Sequence, residues 1–270
     1  MKNKLKIAEA VKEQILKMQP GEIFKYSDLD LPEPKFEALA ASLSRMVKKG
    51  FIKRFKKGYY YIPKKTAFGE LKPSQNEVIK NFTYNKNTPI GYESGLSLFN
   101  SLGLTTQMPN QVTIVTSQPR SYKKVGNTNY KFIKSKINFK KKDIILLQLL
   151  DALKNINLIP DSNVDDIIKN IKTHLTNLSS RELIKILTLA NNYNPSTRAL
   201  VGAIVSDVNA NRQYINNANE TNDMKDNSQN IQQKLNSEII RIKSTLNPMS
   251  SYKIPVNESI LPNKYNWKIT

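Results

Sequence analysis

The reading turns on residues 32–63, PEPKFEALAASLSRMVKKG followed directly by FIKRFKKGYYYIP. In the first piece Phe36, Leu39, Leu43, Met46 and Val47 recur at helical spacing, which makes one face apolar. The other face is assigned Lys35, Ser42, Arg45, Lys48 and Lys49. Gly50 stands where a helix stops, behind two lysines that suit the negative end of its dipole. Two strand-like runs follow, 51–55 and 59–62, joined by the tight basic turn Lys56-Lys57-Gly58. A helix with a basic outer face running into a basic hairpin is the order of a winged helix-turn-helix. There the helix enters the major groove and the hairpin lies along phosphates. The plain alternative is a small helical domain with a solvated basic face.

Working back toward residue 1, residues 3–18 read as an amphipathic helix with Leu5, Ala8, Val11, Ile15 and Met18 on one face. Pro20-Gly21 ends it, and 22–26 leave room for one small strand. Ser27 is read as the cap of a brief second helix through Leu29 and Leu31, and Pro32 and Pro34 break the chain before the long helix. The candidate DNA-contacting residues are therefore Ser27, Lys35, Ser42, Arg45, Lys48, Lys49, Lys53, Arg54, Lys56 and Lys57.

Charge placement agrees with a polyanion partner. The 270 residues hold 42 Lys plus Arg against 22 Asp plus Glu, a net +20. Residues 1–65 carry 16 basic and 7 acidic side chains and residues 66–142 carry 12 and 3, whereas 143–217 balance at 7 and 7. A solubility device would not need that asymmetry. The chain has no cysteine, which excludes disulfides and thiolate metal sites. With no apolar run of spanning length and charges recurring through Lys17, the expected compartment is the cytoplasm, with no membrane partner.

Several stretches carry a resemblance. PGEIFKYSDL (20–29), LSRMVKKG (43–50), FIKRFKKGYYYIP (51–63) and FGEL (68–71) resemble the N-terminal half of AbiEi-type antitoxins, partners in abortive-infection type IV toxin–antitoxin operons. GYESGLSLFNSLGLTTQMPNQVTIVTS (91–117) is similar to the segment that follows the DNA-binding domain in one branch of that family. LNPMSSYKIPVNESILPNKYNW (246–267) looks like a tail of some longer members. The resemblance implies a protein that binds repeats in its own promoter and counteracts a co-encoded nucleotidyltransferase-like toxin, without requiring direct contact.

The remaining chain predicts a linker at 63–73, a helix over 77–82, a polar loop at 85–88 and a helix over 92–102 closed by Gly103. Residues 111–117 read as a β-branched strand, and 120–125 with 129–135 as a hairpin around Gly126-Asn127. That hairpin carries Arg120, Lys123, Lys124, Lys131, Lys134 and Lys136; a longer DNA footprint, an acidic partner and a solvated sheet face all remain open for it. Helices follow at 143–155, 163–178, 180–192 and 195–210, dense enough in apolar residues to form a core. Residues 216–230 read as a polar, mobile connection. Ile231, Leu235, Ile239, Ile242 and Leu246 then form one helical stripe, and an extended arm closes the sequence.

Catalytic chemistry finds little support. His174 is the single histidine and reads as a helix-face residue. Asp165 and Asp166 diverge by roughly 100 degrees on a helix and suit its N-terminal dipole better than a metal. Gly91 and Gly95 lack the following lysine of a phosphate loop. The Tyr59-Tyr60-Tyr61 run suits wing anchoring better than base stacking.

The expected fold class is α+β, mostly helical. It comprises a winged helix-turn-helix (1–65), a mixed domain with a small sheet (66–215), and a polar connection, amphipathic helix and arm (216–270). The expected function is a non-enzymatic DNA-binding repressor and antitoxin without cofactor or metal. Its partners would be double-stranded operator repeats and a nucleotidyltransferase-like toxin, with a homodimer or cooperative pair on DNA left open. The alternatives are a stand-alone winged-helix regulator or a basic RNA- or protein-interaction module.

Overall fold

The computed structural model describes residues 2–29, 36–118, 122–218 and 225–270. The fold is α+β, as the sequence predicts, in two compact units, 1–88 and 89–270.

In the first unit α1 (Lys2–Leu16) leads through Gly21 to β1 (Ile23–Lys25) and a single 3₁₀ turn (Tyr26–Asp28). Then come α2 (Phe36–Lys48), β2 (Lys53–Lys56) and β3 (Tyr59–Tyr61). The three strands form one antiparallel sheet in the order β1-β3-β2, so the last strand lies in the middle. Apolar positions spaced for helices in α1 and α2 close over that sheet: Val11, Ile15, Leu39 and Leu43 pack with Phe24, Ile52 and Tyr60. Helix, strand, 3₁₀ turn, helix and hairpin follow in this order, with β3 central.

The expected linker at 63–73 is instead structured. β4 (Lys64–Thr66) and β5 (Gly69–Leu71) pair as a second antiparallel hairpin. Thr66 Oγ1 donates to the Gly69 carbonyl at 2.8 Å across its tip, and Lys53 on β2 forms an ion pair with Glu70 on β5. α3 (Gln75–Thr83) follows, its N-terminus capped by Ser74, with Val78, Ile79 and Phe82 buried. The expected domain boundary at 65/66 therefore differs from the observed division after Thr88. The stretch bounded by Pro63 and Pro73 reads as a connection, but the cross-strand and cross-hairpin contacts that order it are invisible to a local reading. β6 (Tyr84–Asn85) and β7 (Thr88–Pro89) lie at the boundary.

The second unit starts with β8 (Gly91–Ser94) and α4 (Leu96–Ser101), which replace the single helix expected over 92–102. β8 pairs antiparallel with β9 (Gln111–Thr116), and Gly95 at φ +71° breaks the chain between strand and helix. Gly91 allows the close pairing, because a Cβ there would stand 2.7 Å from the Val115 carbonyl oxygen. β10 (Lys123–Val125) and β11 (Thr128–Lys134) form the expected hairpin, with β11 parallel to β9, giving the order β10-β11-β9-β8. Arg120 lies outside the described residues.

α5 (Ile144–Lys154), α6 (Val164–Thr176), α7 (Ser180–Ala190), α8 (Pro195–Ala218) and α9 (Lys225–Ser244) complete the unit. One core joins them to the sheet and α4. The expected polar connection lies partly in α8 and α9, and 219–224 fall outside the described residues. Leu235, Ile242 and Leu246 of the predicted stripe are buried in this core, so α9 docks within the chain, against α7 and α8. The closing arm is likewise part of the unit, with Ile254, Leu261, Trp267 and Ile269 buried. Among the described residues no helix is long and apolar enough to cross a membrane.

Candidate nucleic-acid interface

α2 determines which side chains of the first unit face outward. Glu37, Ala41, Ser44, Arg45 and Lys48 are exposed, a single stripe at helical spacing. Arg45 lies along its own helix, its Nε donating to the Ala41 carbonyl at 3.3 Å. Lys48 and Lys49 are exposed where the helix ends, and the Phe51 amide donates back to Met46 O at 3.0 Å, turning the chain into β2.

Two predicted contacts and one predicted cap are corrected by this geometry. Ser42 is buried, 2% exposed. On a helix it falls roughly 60 degrees from Leu39, so it faces the core flank and cannot reach a base edge. Ser44, two residues on, is the exposed hydroxyl of the helix, which a finer angular reading would have found. Ser27 is not a cap: it lies inside the 3₁₀ turn, and Asp28 closes that turn by accepting the Lys25 amide at 3.0 Å. Lys35 lies outside the described residues.

Lys56 is the third correction. Its ammonium sits 3.8 Å from the Tyr59 ring centroid and 5.0 Å from that of Phe82, and donates to Asn81 Oδ1 at 3.0 Å. A lysine read as a phosphate contact at the wing tip is thus a fastener between wing and α3. Its position beside Lys57 gave no sign of this, since Asn81 and Phe82 are some 25 residues away. A half-buried cation–π contact is worth about 1–2 kcal/mol. Lys56→Ala is therefore expected to speed amide hydrogen exchange in α3 by roughly tenfold, 1.4 kcal/mol per decade. Lys57→Ala, at an exposed position, is expected to leave that exchange unchanged.

The remaining wing positions divide. Arg54 and Lys57 are exposed. Lys53 is exposed but matched in charge by Glu70; that carboxylate, hydrogen-bonded first and attracted second, raises the lysine's pKa, while Glu70 itself is held below its ordinary value. Tyr60 and Tyr61 are buried and cannot stack on bases. The Tyr60 hydroxyl lies 2.9 Å from that of Tyr26, and burial first, this contact second, push its pKa up to about 12. The second hairpin adds residues the sequence reading left out: exposed Lys64 and Lys65, and at its tip Phe68, fully exposed.

The adjacent acidic pair Asp165 and Asp166 serves structure. Asn163 caps α6 by accepting the Asp166 amide at 2.8 Å, and Asp166 accepts from the Asn163 side chain. Asp165 accepts the Asn257 amide at 2.8 Å and so ties down the closing arm. Among the described residues no three His, Cys, Asp or Glu side chains gather as a metal group.

By architecture, then, the chain carries a smaller α+β unit with a three-stranded sheet followed by a larger α+β unit. It belongs to a family of unknown function, DUF6088, whose model matches residues 10–187. The crystal structure of RV2827C protein from Mycobacterium tuberculosis is similar at 11% identity and a TM-score of 0.42, over 75% of this chain and 77% of that one. No curated protein matches the sequence.

Proposed function

We propose that the chain is a non-enzymatic, cytoplasmic repressor that binds double-stranded DNA through its first unit. The observation that carries this reading is the exposed Arg45–Lys48–Lys49 end of α2 running directly into a wing with exposed Arg54 and Lys57. Arginine on such a helix can grip guanine O6 and N7 with two donors, and lysines at its end and on the wing suit phosphates. The same reading extends to the antitoxin of a type IV operon with a nucleotidyltransferase-like toxin; this extension is supported by the resemblance of residues 20–29, 43–63 and 91–117.

Two measurements test the reading separately. Footprinting on the DNA upstream of the gene is expected to protect repeats and to survive excess random competitor. Equal affinity for every duplex would leave a basic surface without operator specificity. Co-expression with an adjacent nucleotidyltransferase-like reading frame is expected to restore growth; protected repeats without rescue would leave a stand-alone regulator.

A further inference from the structure

The second unit holds a feature that DNA binding does not use. A cavity of about 660 Å³ opens between the sheet, the end of α5 and the turn from α7 to α8. That volume lies within the roughly 300–1,000 Å³ of small-molecule sites. Leu96, Phe99, Val115 and Ile137 give it apolar walls. Its ionisable lining is uneven: Lys134, Lys136 and Lys154 are exposed at the mouth, and the single carboxylate, Asp151, is buried.

Asp151 accepts from Ser94 Oγ and from the Tyr193 hydroxyl, each at 2.7 Å. A carboxylate taken out of water without an ion-pair partner is costly unless its lone pairs are filled. These bonds fill two of its roughly four acceptor positions, the Tyr92 hydroxyl is a third hydrogen-bonding neighbour, and the group still lines the cavity with acceptor capacity left. Burial pushes its pKa up, while the Ser94, Tyr193 and Tyr92 bonds and the Lys154 charge act in the opposite direction. The site thus combines exposed cations, apolar walls and a buried hydrogen-bond acceptor.

We propose that this cavity binds a nucleotide, with its phosphates on Lys134, Lys136 and Lys154 and the amino group of its base donating to Asp151. An inorganic anion would leave the walls and the carboxylate unused. A neutral apolar molecule would leave three lysines unmatched. An amino-bearing base linked to phosphate satisfies all three parts. The inference is independent of the DNA reading, since every lining residue lies between 92 and 194 in the second unit.

Calorimetric titration of the full chain with ATP, GTP, CTP, UTP and inorganic tripolyphosphate tests it. At least one amino-bearing nucleotide is expected to bind at one per chain, at least tenfold more tightly than UTP or tripolyphosphate. Lys134→Glu with Lys136→Glu, both at exposed positions, is expected to weaken that nucleotide at least tenfold without lowering Tm. Asp151→Asn is expected to erase the preference over UTP; should that variant fail to fold, the lysine pair still decides. Absence of nucleotide binding would overturn the proposal. So would tripolyphosphate binding as tightly as every nucleotide, or binding undiminished in the lysine variant.

Discussion

Trp267→Ala is expected to lower the unfolding free energy of the second unit by about 3–5 kcal/mol, the range for truncating a buried aromatic. Trp267 is 2% exposed. Its indole lies against Gly202 of α8 so closely that a Cβ on that glycine would enter the ring's van der Waals surface. The arm around it is fixed at several points. Tyr252 and Lys268 are joined by a backbone bond of 2.7 Å, Thr270 donates to Tyr252 O at 2.9 Å, and the buried Lys264 ammonium donates to Val256 O at 2.7 Å. The segment is therefore core, and its removal opens a cavity beside α8.

Gly202→Ala supplies the complementary test. In an unconstrained helix, alanine in place of glycine stabilises by about 1 kcal/mol. Here overpacking against Trp267 reverses the sign, to a loss of about 1–3 kcal/mol. Urea denaturation followed by circular dichroism measures both variants. Trp267 is the sole tryptophan, so its fluorescence also reports displacement of the indole in Gly202→Ala. A Gly202→Ala protein as stable as the parent, with unchanged fluorescence, would mean that the arm does not pack as described.

Arg45→Ala carries the second large expected effect, a loss of about 1–3 kcal/mol on operator DNA and much less on random duplex. Arg45 is exposed on the stripe of α2 that also presents Ser44 and Lys48, and a 3.3 Å bond ties it to its own helix backbone. That weak tether can be exchanged for two donors to one guanine. If the proposed DNA binding holds, the exposed Lys49, Arg54 and Lys57 meet phosphates, so each change to Ala should weaken operator and random DNA alike. Each should also flatten the log K against log salt slope by about 0.9 for every phosphate that is no longer neutralised. Ser42→Ala should leave binding unchanged, because the hydroxyl is buried. Filter binding over a salt series separates the classes, and equal losses on both DNAs from Arg45→Ala would remove the operator-reading role.

The periodicity of α1 and α2, the stop at Gly50 and the Lys57-Gly58 turn made the first unit legible, because each depends on neighbours within a turn or a hairpin. The same locality explains the misses in the candidate site. Ser42 and Ser44 differ only in helical angle relative to the core. Lys56 differs from Lys57 only through Asn81 and Phe82, which α3 brings back to the wing. Tyr92–Ser94 lie in a strand because β9 is there to pair with them.

By itself, then, the sequence determined the α+β class, the order of helix and hairpin, and the concentration of excess charge in the first half, since composition and short-range spacing encode these. Tertiary structure alone decided that 64–71 form a second hairpin, that α9 and the arm close the core within one chain, and that Asp151, Ser94 and Tyr193 meet beside a lysine-rimmed cavity. Those outcomes depend on which distant surfaces bury one another, and burial between segments far apart in the chain leaves no periodic mark in either segment.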